Sequence, residues 1–181
     1  MMRRGKSSPR CRGRLLQKKP LDSHLVRSAI ESADRHAIRL FALSMCRVPG
    51  SNDVFKRKVA AQIVEEGLNF GVHCRRLCEW HDLSNVKLSP DPWAHQNGRP
   101  NSPAKLIDAL NYLVHSRSCK IAYLTDNSGR SNFPDGPNLD CVAAYFKVVT
   151  DNKEKASIPI ISLAWTYMTS VCDAISAQNK N

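Results

Sequence analysis

The residues of this chain best suited to chemistry stand on one predicted helix, residues 104–115, where Asp108, Asn111 and His115 follow one another at three- and four-residue steps. At about 100° per residue those steps place all three in a narrow stripe on one side. An imidazole beside an amide and a carboxylate can accept a proton near neutral pH, and the carboxylate favours the protonated ring. The same stripe also fits the wet face of an ordinary amphipathic helix, because Leu106, Ile107, Leu110, Leu113 and Val114 fall on the opposite side. Both readings stand at this level.

A second cluster is His73, Cys74, Cys78 and His81. On a helix Cys74, Cys78 and His81 occupy one face at i, i+4 and i+7, with Cys119 or His115 available as a fourth ligand for tetrahedral zinc. Structural zinc sites usually set a cysteine pair on a tight turn and use a second pair, and this chain has no second pair. Small core cysteines are the alternative, and no metal or other cofactor is assigned.

Basic residues form the third group. Arg3, Arg4, Lys6, Arg10, Arg12, Arg14, Lys18 and Lys19 lie in residues 1–20 without an acid among them, so of the formal charge of +11 only +3 belongs to residues 21–181. Such an arm binds nucleic acid by neutralising phosphates, or it is simply a solvated tail. In the body, Arg35, Arg39 and Arg47 can stripe the first helix. Lys56, Arg57 and Lys58 open the second helix, where the helix dipole disfavours positive charge, and Arg75 and Arg76 lie further along it. There is no phosphate-binding glycine loop, nucleophile elbow, paired-carboxylate motif or His-Glu-x-x-His, so nucleotide-driven and zinc-protease activities are not expected.

The elements that must position these residues follow from periodicity. The 181 residues, 42% of them apolar, suit one domain, residues 21–181, behind a disordered basic tail, residues 1–20. No apolar run reads as long enough to span a bilayer, and no apolar segment of a secretory signal follows the basic start. Seven cysteines, odd in number and scattered, point to reduced thiols in the cytoplasm. The first helix is expected from about residue 22, capped by Ser23, to Cys46, and a turn at residues 48–51 ends it. A second helix is expected over residues 53–81, antiparallel to the first. A loop over residues 83–102, pinned by Trp93, leads to a third helix with Ser102 as N-cap and Pro103 at its first position. Residues 119–124 and 139–149 read as two antiparallel strands with a long connection. Residues 153–157 read as a polar loop, and the last helix covers about residues 158–177. That helix is apolar nearly all round, which makes it either central or the seam of a homodimer. The fold class is therefore α+β, a mostly helical bundle with a two-stranded antiparallel hairpin between the third and fourth helices.

The run Asp108, Ala109, Leu110, Asn111, Tyr112, Leu113, Val114, His115 and Ser116, on a helix followed by a hairpin and another helix, resembles the pattern of uncharacterised bacterial proteins related to HEPN domains, over about residues 22–120. The motif there is an arginine, a polar residue, three further residues and a histidine. Asn111 matches the polar position and His115 the histidine, whereas Leu110 stands where the arginine belongs. The resemblance implies a helical, usually dimeric protein that acts on or beside RNA, including metal-independent ribonucleases of defence or toxin systems. In that role His115 is the general base, Asn111 orients the phosphate, and Asp108 stands beside them. Metal-free RNA cleavage also needs a cation for the charge that develops on phosphorus, and Arg75, Arg76 and Arg117 are the candidates. The alternative is a non-catalytic nucleic-acid-binding or protein-interaction module that uses the basic arm, Arg3, Arg4, Arg10, Arg12 and Arg14 above all.

Overall fold

Ala29, Ala33, Ala37 and Leu40 recur at three- and four-residue steps, and their small side chains let a second helix lie close along that face. In the computed structural model, which describes residues 23–94, 101–125 and 139–178, these residues belong to α1 (Ser23–Met45). Its partner is α2 (Asp53–Trp80), capped by Asn52, whose side chain accepts from the Phe55 N–H at 2.9 Å. The pair is antiparallel as expected, since Glu66 of α2 meets His36 and Arg39 near the middle of α1 while His81 lies by Val26 and Ile30.

Between the two helices the chain does more than turn. Residues 47–49 form strand β1 (Arg47–Pro49), which pairs antiparallel with β3 (Leu139–Thr150). β3 also pairs with β2 (Ser116–Thr125) on one side and with β4 (Lys155–Pro159) on the other. β3 is thus the central strand of a four-stranded sheet, with β2 along one edge and β1 and β4 end to end along the other. The two-stranded hairpin expected from sequence is corrected to this sheet. β1 was hidden because three residues are too short to show alternation and carry Pro49. Residues 153–157 were expected as a loop, yet only the turn is loop-like. The Lys153 N–H donates to the Thr150 carbonyl at 2.9 Å, and Lys153 takes φ 63°, a left-handed turn that leads into β4. A Cβ at Gly50 would lie 2.6 Å from Asp140 Oδ1, the atom that accepts its N–H, so a larger residue here must displace that carboxylate.

The third helix, α3 (Leu106–Val114), starts later than its Ser-Pro signal implies. Ser102 does not cap it. Its hydroxyl donates to the Ser157 carbonyl at 2.7 Å, while the Ser157 N–H donates to the Asn101 carbonyl, so residues 101–102 lie along the free edge of β4 instead. The loop before it is held by Asp91, which accepts from the buried Tyr145 hydroxyl at 2.8 Å, rather than by Trp93 alone. The last helix runs as α4 (Ile160–Thr166), a π-helical turn (Tyr167–Val171) and α5 (Cys172–Gln178). By length and composition the 19 residues Ile160–Gln178 reach the range of a bilayer span, which corrects the expectation that no such stretch exists. Leu163, Ala164, Tyr167 and Val171 are fully buried in the core, and the Tyr167 ring meets Phe70 edge-on at 5.4 Å.

Sheet and helices are held together along one stripe of α2. Gly67 receives the ring of Phe146 from β3, and a Cβ there would sit 2.4 Å from that ring. Gly71, one turn on, faces Leu113 and Val114 of α3 at an ordinary 3.5 Å. Gly67→Ala is expected to destabilise the protein by about 1–3 kcal/mol, because Phe146 is fully buried and has nowhere to go. Gly71→Ala is expected to be neutral or to stabilise by up to about 1 kcal/mol, since it fits and raises helix propensity. Urea denaturation of the two variants checks the contrast.

The α1–α2 seam carries a pH response. Burial raises the Glu66 carboxyl, but hydrogen bonds from His36 at 2.5 Å and Arg39 at 3.0 Å outweigh it and hold it below the usual carboxylate range. The His73 ring stacks on His36 at 6.1 Å, and burial, aided by the charges of His36 and Arg76, pushes its pKa below the ordinary 6.5. His73 is therefore harder to protonate in the fold than in the unfolded chain, so stability falls as pH drops below about 6.5. Thermal midpoints measured between pH 7.5 and 5.5 should decline, and His73→Phe should flatten the decline.

Candidate functional site

The stripe expected on the third helix is a real face of it. Leu106, Leu110 and Leu113 are fully buried, and on the other side Asp108, Asn111, Tyr112 and His115 line a hollow of about 380 Å³. Opposite them the hollow is closed by Thr150, Asn152 and Glu154 from the β3–β4 turn, and by Pro103. No local signal marks these residues in the sequence, because their role depends on the turn being folded back beside α3.

His115 is the C-cap of α3, with its backbone N–H donating to the Asn111 carbonyl. Its Nε2 lies 3.1 Å from Nη1 of Arg75, which reaches across from α2. A guanidinium only donates, so Nε2 is the acceptor and the proton of the neutral ring sits on Nδ1. Arg75 is steadied by Glu79, which accepts from its Nε at 2.8 Å one turn along the same helix. Gly67, Gly71, Arg75 and Glu79 thus form one stripe at four-residue steps. The two glycines bring α2 against the sheet and α3, and the next position on the stripe delivers the cation to His115.

Leu110, at the arginine place of the motif, faces the core with no exposed surface, so that position cannot supply charge to the hollow. Of the three candidate arginines, Arg75 meets His115. Arg76 is exposed on α2 and acts on His73, and Arg117 is the exposed extra residue of a bulge where β2 pairs Ser116 with Thr150 and Ser118 with Val149. Arg3, Arg4, Arg10, Arg12 and Arg14 lie outside the described residues.

Two polar atoms in this hollow are buried without a partner among the described residues: Asn111 Oδ1 and Thr150 Oγ1. Each such atom costs roughly 1–3 kcal/mol relative to a satisfied one, which is worth keeping where a ligand supplies the missing donor. With the Asp108 and Glu154 carboxylates they make the lining rich in acceptors, and the cationic group, Arg75, stands beside it at His115.

The zinc constellation is not assembled. His81 Nδ1 contacts Gln178 Oε1 at 2.6 Å, and Cys74 lies in the core, where burial and its neighbour Cys78 push its thiol well up, away from the thiolate zinc requires. Among the described residues no three His, Cys, Asp or Glu side chains are grouped to hold a metal ion, and Cys46, Cys74, Cys78, Cys119, Cys141 and Cys172 are free thiols. The basic stripes are partly neutralised as well. Arg39 pairs with Glu66, and Lys56 with Asp53 at 2.8 Å, which offsets the unfavourable charge at the start of α2.

Thr150→Val removes an unpartnered buried hydroxyl and keeps the side-chain shape, so it is expected to stabilise the unliganded protein by about 0.5–1 kcal/mol in a denaturation experiment. Comparison with protein-family models, with curated proteins and with solved structures finds no match, so the chain's function is read from its own residues.

Proposed function

We propose that this chain is an RNA-associated protein of HEPN-like type that cleaves RNA without a metal at the site formed by His115, Asn111 and Arg75. The observation that carries the reading is the Arg75 guanidinium 3.1 Å from Nε2 of His115. It supplies, from another helix, the cation missing at Leu110. A base for the ribose hydroxyl and a positive donor for phosphate oxygens are the two groups this chemistry needs, and they stand together.

In this mechanism a phosphodiester approaches Arg75, and its oxygens take the guanidinium hydrogen bond that Nε2 now accepts. The freed Nε2 removes the proton of the ribose 2′-hydroxyl. The 2′-oxygen then forms a bond to phosphorus as the bond to the 5′-oxygen breaks, and the departing oxygen receives a proton from the histidinium or from water. Asn111 and the carboxylates of Asp108 and Glu154 suit donors on the substrate, such as ribose hydroxyls and the amino groups of a base, because phosphate is repelled by that lining. Free thiols among the described residues accord with a reducing, cytoplasmic setting. The homodimer proposed through the last helix draws support from Trp165, half-exposed beside Phe41, with Ile38 and Met45 exposed on the adjoining α1.

RNA incubated with the full chain and a chelator should be cut. His115→Ala should abolish cutting, and Arg75→Ala should reduce it by about 10²–10³, as removal of one transition-state donor does elsewhere. Both variants should keep the wild-type thermal midpoint within a few degrees. Intact RNA in the wild-type reaction, with binding retained, would instead assign the hollow to a non-catalytic binding module.

A further inference from the structure

A second hollow, of about 380 Å³, lies on the face of the sheet turned away from the helices. Its floor follows from strand register. Lys120 of β2 stands opposite Lys147 of β3, and Lys147 stands opposite Ser157 of β4. One step along, Ser118 stands opposite Val149, and Val149 opposite Lys155. Residues two apart on a strand point the same way, so these six side chains form one grid, and its polar members are three ammonium groups and two hydroxyls. Asn101 lies over its edge, with its side-chain amide donating to the Lys155 carbonyl at 2.9 Å.

Among the described residues no Asp or Glu lines this hollow. Like charges directly opposite on neighbouring strands are destabilising, so Lys120 facing Lys147 is a local cost that the fold alone does not call for. Lys147 is also held in place. Its Nζ donates to the Ser157 hydroxyl at 2.8 Å and sits 5.4 Å above the Tyr145 ring. All three lysines are exposed, and their net charge is concentrated on a body whose overall excess is only +3. Concentrated positive charge beside hydroxyl and amide groups suits the phosphodiester backbone of a nucleic acid, a chain of oxyanions at regular spacing. Among the described residues the hollow presents no exposed aromatic ring for base stacking, so the contact reads backbone rather than sequence.

We infer that the Lys120, Lys147 and Lys155 grid is a binding site for the phosphate backbone of single-stranded nucleic acid, and the inference rests on the RNA reading of the His115 site. The two hollows lie on either side of the β3–β4 hairpin and meet at its end. Thr150 and Glu154 line one, and Val149 and Lys155 line the other. A flexible single strand can round that end, whereas a stiff duplex cannot, which sets the preference for single strands.

The test is binding of a fluorescent single-stranded oligoribonucleotide, 2′-O-methylated so that it cannot be cut, to the full chain over a range of salt. The variant Lys120→Gln, Lys147→Gln, Lys155→Gln is expected to bind at least about tenfold more weakly at low salt, with the slope of log affinity against log salt reduced by about 2. A control of equal charge, Arg27→Gln, Lys58→Gln, Lys87→Gln, should bind nearly as wild type. The grid variant should retain the wild-type thermal midpoint or exceed it. Equal binding by the grid variant and wild type, or equal losses in the grid and control variants, overturns the site. Cleavage of unmodified RNA is scored in parallel. Grid-dependent binding without cleavage by wild type keeps the phosphate site and ends the nuclease reading, while His115-dependent cleavage with unchanged binding by the grid variant does the reverse.

Discussion

The ring of Phe146 lying in the notch of Gly67 sets the distance between α2 and the sheet, and most of the structure is arranged around that contact. A β-carbon on residue 67 would push the helix outward from the central strand. With the helix seated, Gly71 comes against Leu113 and Val114, and α3 is docked by the same smooth stripe. The next residue on the stripe is Arg75, and the end of α3 it faces is His115. The packing of two glycines and the placement of one cation are therefore a single geometric fact. Interiors at crystal-like density transmit small displacements, so the site inherits its precision from the core beneath it.

The second consequence concerns β3. It is paired on both sides and buried along most of its length, which is why residues 141–146 read as a nearly continuous apolar run. The extra residue at Ala144, where Ala122 pairs with Tyr145 and Tyr123 with Ala143, reverses the alternation of side chains within the strand. Ala143, Phe146 and Val148 consequently all join the main core. Beyond the bulge, Lys147 and Val149 point to the other face and meet Lys120, Ser118, Ser157 and Lys155. One strand thus supplies the core with its inner face and the lysine grid with its outer one.

Two of the buried polar atoms without a partner among the described residues lie where chemistry is proposed, and others, His73 Nδ1, His81 Nε2 and Trp93 Nε1, lie elsewhere. Asn111 Oδ1 and Thr150 Oγ1 line the same hollow, while several buried groups outside it are satisfied: Tyr167 donates to Asp34, Tyr145 to Asp91 and Ser162 to the Pro90 carbonyl. Buried polar groups are ordinarily paired, and these two unpartnered oxygens share a hollow with the His115 imidazole, which Arg75 contacts.

Periodicity alone determined the two long helices, the core face of α3, the stripe of Asp108, Asn111 and His115, and the two longest strands, because each is a local pattern repeated over many residues. α3 starts later than its local signal implies because Ser102, a good capping residue, together with Asn101 hydrogen-bonds along the edge of β4 instead, a partner that no local rule contains. β1 and β4 escaped for a similar reason: strands of three and five residues gain their identity from pairing with β3, not from their own alternation. The zinc constellation failed because Cys74 and Cys78 turn into the core while His81 turns toward Gln178, a divergence set by tertiary neighbours. The choice among Arg75, Arg76 and Arg117 also needed three dimensions. All three have the right charge, and only the approach of α2 to α3, allowed by two missing side chains at Gly67 and Gly71, decides which one reaches the imidazole.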